Sequence, residues 1–334
     1  MCSAGGSVGV LLGGFLTTAL NWHWIFLVNL PIGALVYVAS LRLLPADHVP
    51  EKTVRLDFAG AITVTSSLML AVYAIVNGRE LGWTSAATLT LLGAAVALMA
   101  AFLVIEMRVR EPLMPLSLFK LRNVAVANTV AVLWAAAMFA WFFIAALYLP
   151  LVLGYDALEV GLSFLPANLI MAAFSLGLSA KIVMRFGFRA PLFAGLLVAA
   201  AGLALFARAP LAGDFWFDVF PGMVLLGIGA GVAFNPLLLG AMSDTGPNES
   251  GLASGMVNTA FMMGGALGLA VLASFAASRT AAVTAAGADP RAALNAGYHV
   301  AFALGATCAA VAACLGGALM RTRTQGTAPA TAMH

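Results

Sequence analysis

The sequence predicts an all-α integral membrane protein with about ten transmembrane helices. Two observations carry this. Hydrophobic residues make up 63% of the 334-residue chain and charged residues only 9%, against about a quarter in soluble domains; the mean hydropathy is +1.02. The apolar residues also fall in runs of about 20, the length that crosses a bilayer as a helix. The short alternating segments of a closed barrel are not visible. Helices are then the remaining way to satisfy the backbone in lipid.

The first run, 3–20, is glycine-rich. Gly5, Gly9 and Gly13 stand at i, i+4 and i+8 on one face, a small-residue stripe that lets two backbones approach where lipid supplies no hydrophobic drive. A cleavable signal needs a basic start, yet the first Lys or Arg is Arg42. A dinucleotide loop needs G-x-G-x-x-G between strand and helix, which neither Gly6, Gly9, Gly13 and Gly14 nor "GIGAG" at 227–231 provides. The second run, 24–44, follows the knot Asn21-Trp22-His23-Trp24, and runs 57–77 and 86–106 come next.

The break 107–123, "MRVREPLMPLSLFKLRN", is basic, proline-containing and partly amphipathic, and is expected to lie as a linker at the cytoplasmic lipid surface. Beyond it, runs 124–150, 157–181, 190–208, 216–240, 251–277 and 297–320 read as a six-helix bundle in its own right. The other long polar breaks are 45–56 and 278–296. The tail 321–334 is too small and polar to pack and is expected to be disordered.

Charge placement predicts orientation. With the N-terminus inside, the inner segments hold twelve basic residues, from Arg42, Lys52 and Arg55 to Arg321 and Arg323; the outer loops hold only Arg79, Arg208, Arg279 and Arg291. That bias favours a cytoplasmic N-terminus in the cell membrane, and it accounts for the basic loops without nucleic acid. Three cysteines exclude a disulfide framework. The four scattered histidines suggest no metal cluster, and no Ser/His/Asp set can be placed, so enzyme chemistry is not expected.

Several stretches carry a resemblance. "GVLLGGFLTTALNWHWIFLVNLPIG" (9–33) resembles the fifth and sixth helices of the fourteen-helix drug:proton antiporters of the major facilitator superfamily, with Gly9, Gly13 and Gly14 at the glycines of the G-P-x-x-G-G antiporter motif. "RLDFAGA" (55–61), "EPLMPLSLFKLRN" (111–123), "LYLPLVLGYDALEVGLSFLP" (147–166) and "GLASGMVNTAFMMGGALGLAVL" (251–272) continue it. The motif proline is replaced by Val10. In "SAKIVMRFGFRA" (179–190) the gate loop keeps Arg185, Gly187 and Arg189 but has Met184 at its acidic position.

The resemblance implies a partial major facilitator fold. Residues 1–44 would be the last two helices of the N-terminal bundle, 57–106 two inserted linker helices, 107–123 the cytoplasmic linker and 124–320 a complete C-terminal six-helix bundle. About four N-terminal helices of the family pattern have no counterpart. The expectation is a truncated antiporter needing those helices in cis or trans, or a non-transporting remnant or subunit. The implied energy source is the proton gradient, with no cofactor; the implied partners are the bilayer and small hydrophobic or amphipathic substrates.

Candidate site residues follow. Asp57, Glu106 and Asp218 all lie near helix ends as expected caps or ion pairs, and Asp57 is the best proton or ion-pair candidate. Trp134, Met138, Trp141 and Tyr148 share a face of the helix that lines the cavity in the family, and such side chains suit greasy ligands. Asn168, Asn235 and Asn258 need hydrogen-bond partners within their spans, and Met262 shares a face with Asn258. Asn168, Ser175 and Ser179 are expected to pack on the Gly5/Gly9/Gly13 stripe. Asn235-Pro236, after Gly227, Gly229 and Gly231, is expected to bend its helix.

Overall fold

The computed structural model describes residues 2–43, 57–109, 112–246 and 249–321. The described chain is helical, in the order α1 (Cys2–Ala19), α2 (His23–Leu27), α3 (Asn29–Leu43), α4 (Phe58–Leu81), α5 (Ala86–Arg108), α6 (Arg122–Tyr148), α7 (Ala157–Ala173), α8 (Ser179–Phe186), α9 (Arg189–Phe206), α10 (Phe220–Met242), α11 (Ser250–Ala285) and α12 (Pro290–Leu319). Nine segments among the described residues are long and apolar enough to cross a membrane, and α1 adds a helix of 18 residues at the first expected run, 3–20.

Helices α6, α9, α10, α11 and α12 pack around one core, and α7 joins it through α10. Lipid offers apolar side chains no reason to leave it, so close backbone approach has to hold the bundle together. Glycines provide that approach. A methyl group added at Gly264 would lie 2.5 Å from Val132 Cα, joining α11 to α6. At Gly229 it would lie 2.6 Å from Ala199 N, joining α10 to α9, and at Gly227 it would lie 2.7 Å from Ala167 O, joining α10 to α7.

Pro236 lies inside α10, which runs through Asn235-Pro236 without a break. Gly227, Gly229 and Gly231 meet α7, α9 and Phe174. A break falls in the segment read as one span at 157–181. There α7 passes into a wide turn at Phe174–Leu178, and Gly177 has φ 125°, ψ −9°, a conformation that side-chain-bearing residues rarely adopt.

Two other boundaries differ. The run 24–44 is divided at Val28 into α2 and α3. The expected polar break 278–296 is mostly helix: α11 continues to Ala285 and α12 begins at Pro290. The stretch Ala276–Ala286 is alanine-rich and lacks Gly and Pro, so it propagates helix despite an exposed Arg279. Gly287, at φ 84°, ends it. Asp289 then caps α12, accepting from Arg291 N at 3.0 Å and Ala292 N at 3.3 Å.

Side chains lace both ends of the bundle. At one end Asn123, 1% exposed, sits between the start of α6 and the ends of α10 and α12. Its Nδ2 donates to Ser243 Oγ (2.8 Å), Asp244 Oδ1 (3.2 Å) and Arg321 O (2.9 Å). Its Oδ1 accepts from Arg321 N (2.9 Å), and its N donates to Asp244 Oδ2 (3.1 Å). Arg122 adds a bond to Leu319 O at 2.8 Å. At the other end Tyr148 Oη donates to Pro210 O (3.0 Å), Asn295 Nδ2 donates to Ala209 O (3.2 Å), and Arg291 bonds to Val152 O.

The antiparallel pair α4–α5 packs on α11. The segment after α5 turns as a short helix at Leu116–Lys120 and buries Leu118 beside Val124 and Met256. It is therefore anchored into the protein rather than lying wholly on the lipid surface. Helix α1 packs on α7, whereas α3 buries no residue.

Replacing Gly264 by Leu should destabilise the chain by about 1–3 kcal/mol through overpacking, seen as a lower Tm in detergent. Gly255→Ala, where an added methyl group meets nothing within 4 Å, should leave Tm unchanged or raise it. Asn123→Ala should cost about 2–3 kcal/mol, because it strands buried partners at three helix ends; an unchanged Tm would contradict the clasp.

Candidate functional site

The polar and aromatic residues expected to line a cavity separate into two groups. Phe139 of α6, Phe234 of α10 and Phe261 of α11 converge. Phe261 meets Phe139 edge-on at a centroid distance of 5.9 Å and Phe234 at 5.8 Å, geometries that aromatic quadrupoles favour. On the same helices Met138 and Asn235 are half-buried, Asn258 is exposed, and Met262 is 50% exposed. Met138, Asn235, Asn258 and Met262 thus stand one to three residues along the chain from a ring of this cluster. Phe139 and Phe234 belong to it and were missed in the sequence, where nothing separates them from the chain's other phenylalanines.

Trp134 and Trp141 are in the other group. They are 1% and 0% exposed and belong to the bundle core, so in this conformation they do not line an open cavity. Trp141 packs on Phe164 of α7 at 5.9 Å. The face they share turns inward, into the bundle core. Tyr148 is likewise fully buried, its hydroxyl spent on Pro210 O. Asn168 is buried too, and its Nδ2, like the Nε1 atoms of both tryptophans and Ser179 Oγ, has no protein partner.

The antiporter-motif helix meets the expected partner through a different glycine. α1 packs on α7, but a methyl group added at Gly9 or Gly13 would meet nothing within 4 Å, while at Gly14 it would lie 2.8 Å from Ala157 O. Among Gly9, Gly13 and Gly14 the close approach is therefore at Gly14, against the start of α7, and Gly5 lies outside the residues whose surroundings are described. The side chains of Val10 and Ser175 lie outside the described residues.

The gate-loop residues join α8 to α9. Arg189 bonds through its Nε to Gly317 O on α12. Gly187 closes α8 by donating to Val183 O at 2.8 Å. Arg185 is exposed and stacks over Phe186 at 5.3 Å. Arg189 ties this loop to the bundle through the Gly317 carbonyl, with no carboxylate at Met184.

Asp57 caps α4, its Oδ1 accepting from Gly60 N at 2.8 Å. Glu106, expected as a cap or ion pair, is buried at the end of α5, where its Oε2 accepts from Met114 N at 3.0 Å. Between this hairpin and α11 lies an apolar cleft of about 720 Å³ with Met99, Met114, Met256 and Met263 among its lining residues. Neither sequence periodicity nor motif spacing pointed to it, because it forms between segments more than 100 residues apart.

Residues 1–269 match the family model of the Major Facilitator Superfamily. The chain is 34% identical over 329 residues to the puromycin resistance protein of Streptomyces alboniger, covering 96% of this chain and 65% of that protein. It is 34% identical to the cephamycin export protein of Amycolatopsis lactamdurans (83% of this chain, 57% of the relative). It is 30% identical to the tetracenomycin C resistance and export protein of Streptomyces glaucescens (82% and 50%). The chain spans about half to two-thirds of the length of these relatives. On the strength of the family match, together with the all-helical membrane fold, this chain belongs to the major facilitator superfamily of membrane transporters.

Proposed function

We propose that the chain carries the C-terminal bundle and linker helices of a multidrug-efflux-type proton antiporter. The observation that carries this reading is the cluster of Phe139, Phe234 and Phe261 joining α6, α10 and α11, with Asn258 and Met262 exposed in the turn of α11 that carries Phe261. Its polarizable, adaptable side chains suit small hydrophobic or amphipathic compounds, and the relatives are named for puromycin resistance, cephamycin export, and tetracenomycin C resistance and export. Residues 1–44 would belong to an N-terminal bundle, 57–106 to inserted linker helices, 107–123 to a cytoplasmic linker and 124–320 to the C-terminal bundle, with 321–334 as a tail. Rocking of the two bundles about a midplane site would alternate access, driven by the proton gradient. The basic-residue bias supports a cytoplasmic N-terminus in the cell membrane. Trp134, Trp141 and Asn168 would reach substrate only if α7 moves at Gly177.

A second reading, a subunit or remnant that needs further helices from elsewhere, is favoured by α3, which buries nothing within the chain. Both readings place α1–α3 against helices supplied in cis or in trans.

Efflux of a lipophilic fluorescent dye from cells tests the proposal. Protonophore-sensitive export is expected when this chain is preceded by the N-terminal helices of a full-length relative, and none from the 334 residues alone. Asn258→Ala and Met262→Ala in the extended form should cut export several-fold without lowering Tm. Export by the short chain would refute the need for added helices; no export by the extended form would refute the efflux reading.

A further inference from the structure

Beside the gate loop the bundle carries a groove on its outer side. Arg189 and Phe193 stand at i and i+4 on α9, and Cys314, Gly317 and Ala318 at i, i+3 and i+4 on α12. With Phe186 they line an open, mostly apolar groove of about 540 Å³. Phe193 and Cys314 are exposed, whereas Leu192 and Ala313, on the other sides of the same helices, are fully buried. The groove therefore looks away from the core, toward lipid.

One end of the groove is cationic. Arg189 lines it, and Arg185 stacks over the Phe186 ring at 5.3 Å; both arginines are exposed. Arg189 spends its Nε on Gly317 O, which leaves the two terminal nitrogens of the guanidinium for another acceptor. Helix α9 also begins here, and no side chain caps its first turn, where unpaired N–H groups carry the positive end of the helix dipole. The elements that form the groove cannot answer this charge: α8, α9, α12 and the loop between α8 and α9 contain no Asp or Glu. Asp244, at the same end of the bundle, is taken by Asn123.

A ligand that matches is anionic at one end and apolar along the rest. Arginine forks and a bare helix start suit a phosphodiester. The Phe186 and Phe193 rings, over the small residues Gly317 and Ala318, suit a hydrocarbon chain. Basic pockets between membrane helices bind anionic lipid head groups. We propose that the groove between α9 and α12 binds an anionic phospholipid, its phosphate on Arg185 and Arg189 and one acyl chain along Phe193 and Cys314. The head group supplies the negative charge that Met184 does not. The site lies outside the bundle and does not rest on the efflux reading.

Native mass spectrometry of the whole chain in detergent tests this, with dioleoylphosphatidylglycerol and dioleoylphosphatidylcholine as probes. One phosphatidylglycerol should be retained per chain several-fold more tightly than phosphatidylcholine, and the double variant Arg185→Gln, Arg189→Gln should lose that preference. Equal retention of the two lipids, or a preference unchanged in the double variant, overturns the proposal. Should the double variant fail to fold, Arg185→Gln alone, at an exposed side chain, should weaken the preference, and an unchanged one overturns the site. The rate of Cys314 alkylation, in a chain carrying Cys2→Ser and Cys308→Ser, locates the lipid. Phosphatidylglycerol should slow it several-fold, and phosphatidylcholine and inorganic phosphate should not. No protection by phosphatidylglycerol, equal protection by inorganic phosphate, or protection without lipid in a dimer that seats a second copy in the groove each overturns the assignment.

Discussion

Close approach of helix backbones is the constraint on which this molecule depends. In lipid, an apolar side chain gains little by leaving one apolar neighbour for another, so packing density and backbone proximity have to do what the hydrophobic effect does in water. The core meets this demand with glycine at successive crossings. Gly264 lies on Val132, Gly229 on Ala199, Gly227 on Ala167, and Gly297 on the Ala276 carbonyl. Each contact fixes both the distance and the rotation of its helix, and together they determine which faces turn inward. The burial of Trp134 and Trp141 follows from these rotations.

The same constraint distributes rigidity. The helix with the most suggestive hinge sequence, α10, is held on two sides by its own glycines and passes through Pro236 unbroken. Conformational freedom is left to Gly177, whose added methyl group would meet nothing. The ends of the bundle, where helix carbonyls and amides lose their internal partners, are closed by side chains from distant parts of the chain. Asn123 gathers α6, α10 and α12 at one end. At the other, Asn295 donates to the Ala209 carbonyl and His299 Nε2 lies 2.7 Å from it.

Two places differ in chemistry from the rest of the bundle. The rings of Phe139, Phe234 and Phe261 meet where α6, α10 and α11 cross. The linker hairpin carries buried carboxyl groups and an apolar cleft against α11. Their separation gives the hairpin a physical identity of its own within the fold, beyond that of a spacer between bundles.

The sequence by itself determined the solvent, the helical class and the approximate position of every span, because runs of apolar residues are a local property that lipid makes obligatory. It also placed Asp57 at a helix start, as a cap or an ion pair, and it paired α1 with α7 through the resemblance. It misjudged the break 278–296 because polarity reports exposure, whereas helix propagation depends on alanine content and the absence of Gly and Pro. Only the tertiary structure decided which face of each helix turns inward, that Gly14 rather than Gly9 and Gly13 makes the contact with α7, and that Asn123 and Glu106 matter. Helical periodicity fixes the angles between residues on one helix but leaves its rotation free. That rotation is set by glycine contacts with residues far away in the chain, and so are the partners of Asn123, about 120 and 198 residues distant.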